Sequence, residues 1–85
     1  MWIEISDLPE GCNFKALQLG DFVACVDRDD IGFTWTLRKR QQDGTLAKLG
    51  GVWRQTLMPP EFTRREVEQG LGWADDQIAK LQPQS

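Results

Sequence analysis

Residues 31–57 read IGFTWTLRKRQQDGTLAKLGGVWRQTL, and the way the two halves of this stretch pair decides the fold. The first half alternates. Phe33, Trp35 and Leu37 point to one side and Thr34, Thr36, Arg38 and Arg40 to the other, the period-two pattern of a half-buried strand over 31–40. A second strand over 46–57 follows the turn signal Asp43-Gly44. A two-residue loop with Asp43-Gly44 at its centre sets Gln42 opposite Thr45 and Trp35 opposite Val52. It moves Trp53 to the side of Arg38 and splits the apolar set between both faces. A three-residue loop, Gln42-Asp43-Gly44 with Gly44 left-handed, sets Gln41 opposite Thr45. Phe33 then faces Trp53, Trp35 faces Gly51 and Leu37 faces Leu49, so one side of the hairpin is uniformly apolar. A slip of one residue turns every side chain over, so burial selects this second register. Gly50-Gly51 marks a bulge or bend that would shift the outer part of the pairing.

In the selected register Arg38 lies opposite Lys48, and Arg54 shares their side. With Arg40, Thr34 and Thr36 they make a basic, polar face. This local excess stands against the rest of the chain. Residues 1–31 carry seven acids and two bases, residues 32–58 five bases and one acid, and residues 59–85 five acids and three bases. The net charge is −3. That balance argues against strong non-specific binding to nucleic acid or to anionic membranes.

Upstream, strands are expected at 2–5, 14–19 and 22–26, separated by turn clusters at 7–11, 20–21 and 27–30. Downstream of Pro59-Pro60 the pattern becomes helical. Thr63 and Glu66 have the spacing of a capping box, and Phe62 and Val67 that of a hydrophobic staple. Val67, Leu71, Ala74, Ile78 and Leu81 form one helical stripe. Gly70 and Gly72 interrupt it, which fits either one kinked helix or two short helices with a turn near Leu71-Gly72.

With its break at Leu71-Gly72-Trp73 and its apolar positions Val67, Ile78 and Leu81, this segment resembles a helix-turn-helix over about twenty residues. The resemblance implies a DNA-reading second helix. Two positions depart from it. Glu68 stands where the family has a small residue between its helices, and Asp75 and Asp76 would open the recognition helix against a phosphate backbone.

The expected fold is therefore α+β. An antiparallel meander of four or five strands (1–58) carries a C-terminal helical segment (59–82), one helix or a helix-turn-helix, on its apolar face, with a frayed tail at 83–85. At 85 residues this is one domain that hides only about 60–65% of its unfolded surface. Phe33, Trp35, Leu37, Leu49, Trp53, Val67, Leu71, Ile78 and Leu81 are the expected packing face. Trp2 and Trp73 are left open between core and surface.

The catalytic inventory is thin. With no histidine, no tyrosine and only Ser6 and Ser85 as serines, a Ser-His or Cys-His pair cannot form within the chain. Two cysteines cannot complete a four-thiolate zinc site, and no phosphate-binding glycine loop is present. Asp27, Asp29 and Asp30 lack the downstream glycine and glutamate of a calcium loop and read as an acidic turn. Cys25 lies in an apolar run and is expected in the core, and Cys12 at the surface, both as thiols, with a disulfide between them as the minor alternative. No cofactor or metal site is expected. No stretch is long and apolar enough to span a membrane and no leader pattern opens the chain, so a cytoplasmic location is expected.

The expected function is that of a non-enzymatic protein-binding module, an adaptor or inhibitor. The profile is that of small phage and mobile-element proteins that act on a host protein complex. Its partner-binding residues are Arg38, Arg40, Lys48, Arg54, Thr34 and Thr36. The alternative is nucleic-acid binding through the same basic face or the helix-turn-helix. A symmetric dimer through an edge strand also fits, with the acidic first third of one copy neutralising the basic face of the other.

Overall fold

The computed structural model describes residues 1–56 and 62–81. Among these residues the chain forms five strands and one helix: β1 (Ile3–Ile5), β2 (Lys15–Leu19), β3 (Phe22–Arg28), β4 (Gly32–Arg40), β5 (Leu46–Thr56) and α1 (Arg64–Leu81). The strands form one antiparallel meander in chain order, and α1 packs on one face of it. This is the expected α+β architecture. The junction at Pro59-Pro60, the last residue of the expected fifth strand and the tail after residue 81 lie outside the described residues.

The β4–β5 hairpin closes as its turn chemistry dictates. The Gln41 N–H donates to the Thr45 carbonyl at 2.8 Å, and the Gly44 N–H donates to the Gln41 carbonyl at 2.9 Å. Gly44 takes φ +88°, the left-handed conformation that costs glycine least. The Asp43 carboxylate accepts from both the Thr45 N–H and its hydroxyl. Those two bonds, the hydroxyl's first, hold the Asp43 carboxyl below the usual carboxylate range. Leu37 faces Leu49 and Arg38 faces Lys48, as burial requires.

Beyond this point the register shifts between Thr36 and Leu37. Gly50 and Gly51 drop out of the pairing as a bulge, with Gly51 at φ +92°. Trp53 therefore faces Trp35, and Gln55 faces Phe33, where the uninterrupted pairing would have set Trp53 against Phe33. The bulge adds two residues, so each side chain keeps its face while its partner changes.

The helix face of the sheet carries the main core. Leu17, Ala24, Val26, Phe33, Trp35 and Leu37 are buried there against Ala74 and Ile78 of α1. Phe62, Phe14 and Phe33 pack ring to ring with centroids 4.4–5.2 Å apart. Trp35 is 0% exposed. Its indole N–H donates to Gln55 Oε1 at 2.7 Å, and Gln55 Nε2 donates to the Glu66 carbonyl of α1 at 3.0 Å. One buried amide thus ties the central tryptophan to the first turn of the helix.

The C-terminal segment is a single continuous helix, which corrects the helix-turn-helix reading. Gly70 does not end a helix. It is buried where α1 crosses Trp35, and a Cβ there would overlap the indole ring. Gly72 is exposed with open space around it, and the helix runs through it. The inward stripe is Gly70, Ala74 and Ile78, flanked by half-buried Val67 and Leu71. Leu81, expected on that stripe, is 53% exposed.

At the start of α1 the Thr63 N–H donates to the Glu66 carboxylate at 2.9 Å. The Thr63 hydroxyl donates to the same carboxylate oxygen. This is the reciprocal half of the expected capping box. Of these contacts the hydroxyl contributes most to holding the Glu66 carboxyl below its usual range.

Candidate partner-binding face

Among the described residues no helix packs on the opposite face of the sheet. The register places its side chains in rows across the strands. Ile3, Gln18, Val23, Arg38 and Lys48 form one row, and Ile5, Ala16, Cys25, Thr36 and Val52 the next. Thr34 and Arg54 lie opposite each other beyond Val52, and Arg40 lies opposite Leu46 at the other end. All six residues that the sequence assigns to a partner-binding face are therefore brought to one side of β4 and β5.

The β1–β2 connection folds onto this face. Cys12 is buried with Ala16, Val23 and Cys25, and its thiol donates to the Lys15 carbonyl at 3.1 Å. Burial of Cys12 corrects the expectation that it lies at the surface. The turn residues around it look solvent-exposed in sequence, and only the closure of the loop over β3 hides the thiol. Both cysteines are free. Burial, and then the neighbouring Cys12 sulfur, push the Cys25 thiol up to about 12.

Ile5 of β1 and Leu46 of β5 both pack on this small cluster. Both also line one cleft of about 510 Å³ together with Asp7, Pro9, Glu10, Arg38, Arg40, Gly44 and Thr45.

The basic residues of the face divide into two kinds. Arg54 is held internally. One of its nitrogens bonds both oxygens of Asp29 at 2.9 and 2.8 Å, and the other donates to the Thr34 hydroxyl at 2.7 Å. Arg38 donates to the Glu10 carbonyl at 2.7 Å and clamps the loop. Arg40 and Lys48 are exposed, and neither forms an ion pair among the described residues. Thr36 is 5% exposed, and its hydroxyl is buried without a hydrogen-bond partner.

The acidic turn has a structural task. The Asp29 carboxylate accepts from the Ile31 N–H at 2.9 Å and the Gly32 N–H at 3.0 Å. The Ile31 bond first, and then Arg54, hold its carboxyl below the usual range. Asp27 belongs to β3 and accepts from the Asn13 N–H. Among the described residues no group of three or more metal-ligating side chains converges. No described helix is long and apolar enough to cross a membrane.

Sequence reasoning missed Gln55, because a lone glutamine in a strand carries no signal until the indole opposite it is known. It also left Trp2 open. Trp2 is half-buried, and its indole N–H donates to the Asp75 carboxylate at 2.9 Å, tying the N-terminus to α1. Compared with known proteins, the chain matches no family model, no curated protein and no solved structure.

Proposed function

We propose that the chain is a non-enzymatic protein-binding module, an adaptor or inhibitor, that engages its partner through the helix-free face of the sheet. The observation that carries this reading is the pair Arg40 and Lys48, exposed on β4 and β5 and without an ionic partner among the described residues, beside Arg38 and Arg54, whose guanidinium groups are already fixed. Arg38 and Arg54 hold the shape of the face, and Arg40 and Lys48 supply charge for another molecule. Exposed Val52 adds an apolar contact between Lys48 and Arg54 on β5. A protein that blocks or bridges a larger complex, as small phage and mobile-element proteins do, needs no more machinery than this. Two buried thiols suit a reducing compartment, so a cytoplasmic setting is part of the proposal.

The test uses the immobilised protein in nuclease-treated extract of the cells that make it, beside an Arg40→Glu/Lys48→Glu variant of equal thermal stability. Proteins retained by the wild type and lost by the variant support the reading. Nucleic acid retained from untreated extract, with affinity falling log-linearly as salt rises, would instead assign the face to phosphate binding.

A further inference from the structure

The geometry of the sheet's long edge points to a particular occupant. β5 has eleven residues and, among the described residues, pairs only with β4. The direction of its backbone groups follows from two hydrogen bonds on β4. The Arg40 N–H points toward β3, donating to the Asp21 carbonyl, and the Gln41 N–H points the other way, to Thr45. Backbone groups alternate sides along an antiparallel strand. Phe33, Trp35, Leu37 and Lys39 therefore face β5, and Ala47, Leu49, Trp53 and Gln55 opposite them turn their N–H and C=O groups inward. Lys48, Val52 and Arg54 turn theirs outward. Among the described residues no turn or loop backbone bonds to them. The same three residues direct their side chains to the helix-free face, and Val52 is 58% exposed.

We propose that β5 accepts an extended, acidic segment of a partner protein as a sixth strand. This rests on the protein-binding reading above and names the mode of binding. Main-chain hydrogen bonds to Lys48, Val52 and Arg54 supply the attachment, and alternate side chains of the added strand lie over the same face. Charge selects the occupant. A strand beside β5 meets Lys48 directly, with Arg40 one strand further in, while Arg54 is already paired with Asp29, so a carboxylate beside Lys48 is favoured. A second copy pairing β5 with β5 would bring the Lys48 of both chains onto one face, and like charges across a ladder are unfavourable. The bulge at Gly50-Gly51 interrupts the edge between Lys48 and Val52, a device that discourages indiscriminate strand addition.

The probe is a blocked eight-residue peptide of alternating valine and glutamate, with alternating valine and lysine as the control. Amide exchange is followed residue by residue by NMR. The glutamate peptide slows exchange at Lys48, Val52 and Arg54 by about tenfold at saturation, while Ala47, Leu49, Trp53 and Gln55 exchange as before. The lysine peptide changes nothing, and Lys48→Glu weakens the glutamate peptide by about tenfold or more. Failure of the glutamate peptide to bind, or binding that leaves the three outward amides unprotected, overturns strand addition. If the extract experiment still shows proteins lost with Arg40 and Lys48, the protein-binding reading survives that failure. Outward amides that become protected with protein concentration alone would assign the edge to a second copy and overturn the proposal.

Discussion

The backbone of Gly70 in α1 lies directly on the indole of Trp35 in β4, so close that a Cβ at Gly70 would overlap the ring. That contact sets the distance between helix and sheet. Gly70→Ala should therefore destabilise the protein, although alanine is the better helix former by about 1 kcal/mol. Overpacking a filled site costs typically about 1–3 kcal/mol, and neither the strand nor the helix can retreat without opening the core around it. Gly72 is the control. It is in the same helix, exposed and surrounded by open space, so Gly72→Ala should stabilise by about 0.5–1 kcal/mol. Urea denaturation of the two variants checks both signs.

Gln55 is the polar link of the core. Its side chain accepts from the Trp35 indole and donates to the Glu66 carbonyl. Gln55→Ala leaves the buried Trp35 indole N–H without a partner, while the Glu66 carbonyl keeps its place in the helix ladder and loses only its second bond. An orphaned buried group costs about 1–3 kcal/mol, and a loss of that size is expected by denaturation. Trp35 fluorescence should change with it, since the indole loses its hydrogen bond.

Thr36 supplies the opposite case. Its hydroxyl is buried without a partner, and valine has the same shape without the polar atom. Thr36→Val should raise stability by about 1 kcal/mol, because the penalty for burying an unbonded hydroxyl is removed. A shift in the urea midpoint with an unchanged slope is the expected result.

The pH dependence has two arms. The carboxyls of Asp29, Asp43 and Glu66 are held below their usual range in the folded state. Their contribution is present above the unfolded carboxylate pKa and is lost as pH falls through the lower folded values. Thermal stability should therefore decline in acid, and Asp29→Asn should flatten that decline. Cys25 is the reverse case, with its thiol raised to about 12. Its contribution is full below the ordinary thiol pKa, near 8.5, and is lost as pH rises from there toward about 12. Cys25→Ala should lack this alkaline arm. In the native protein at neutral pH both thiols should react with a thiol reagent far more slowly than after unfolding.

How far the sequence discloses these relationships depends on whether the signal is local. The hairpin was legible because alternation and the Asp43-Gly44 turn act within a few residues, and burial decides between registers. Gly50-Gly51 announced a bulge but not its size, which rests on how Trp53 and Gln55 settle against Trp35 and Phe33. Gly70 reads only as an interruption of the helical stripe, open between a kink and a turn, because its reason lies across the sheet, in a ring thirty-five positions earlier. The burial of Cys12 depends on a loop closing over β2 and β3, and that closure has no local signature. The basic face emerged from sequence with its six residues on one side. Sequence did not show that Arg54 is bound to Asp29 and Arg38 to the loop, since those contacts span 25 and 28 positions.

If the helix-free face and its β5 edge are free to meet another protein, the chain is a monomer on its own. Its molar mass in solution, by light scattering, should be that of one chain at low and at high salt. A dimer at low salt that dissociates at high salt would mean that the sorted charges of the chain serve self-association, and would contradict this reading.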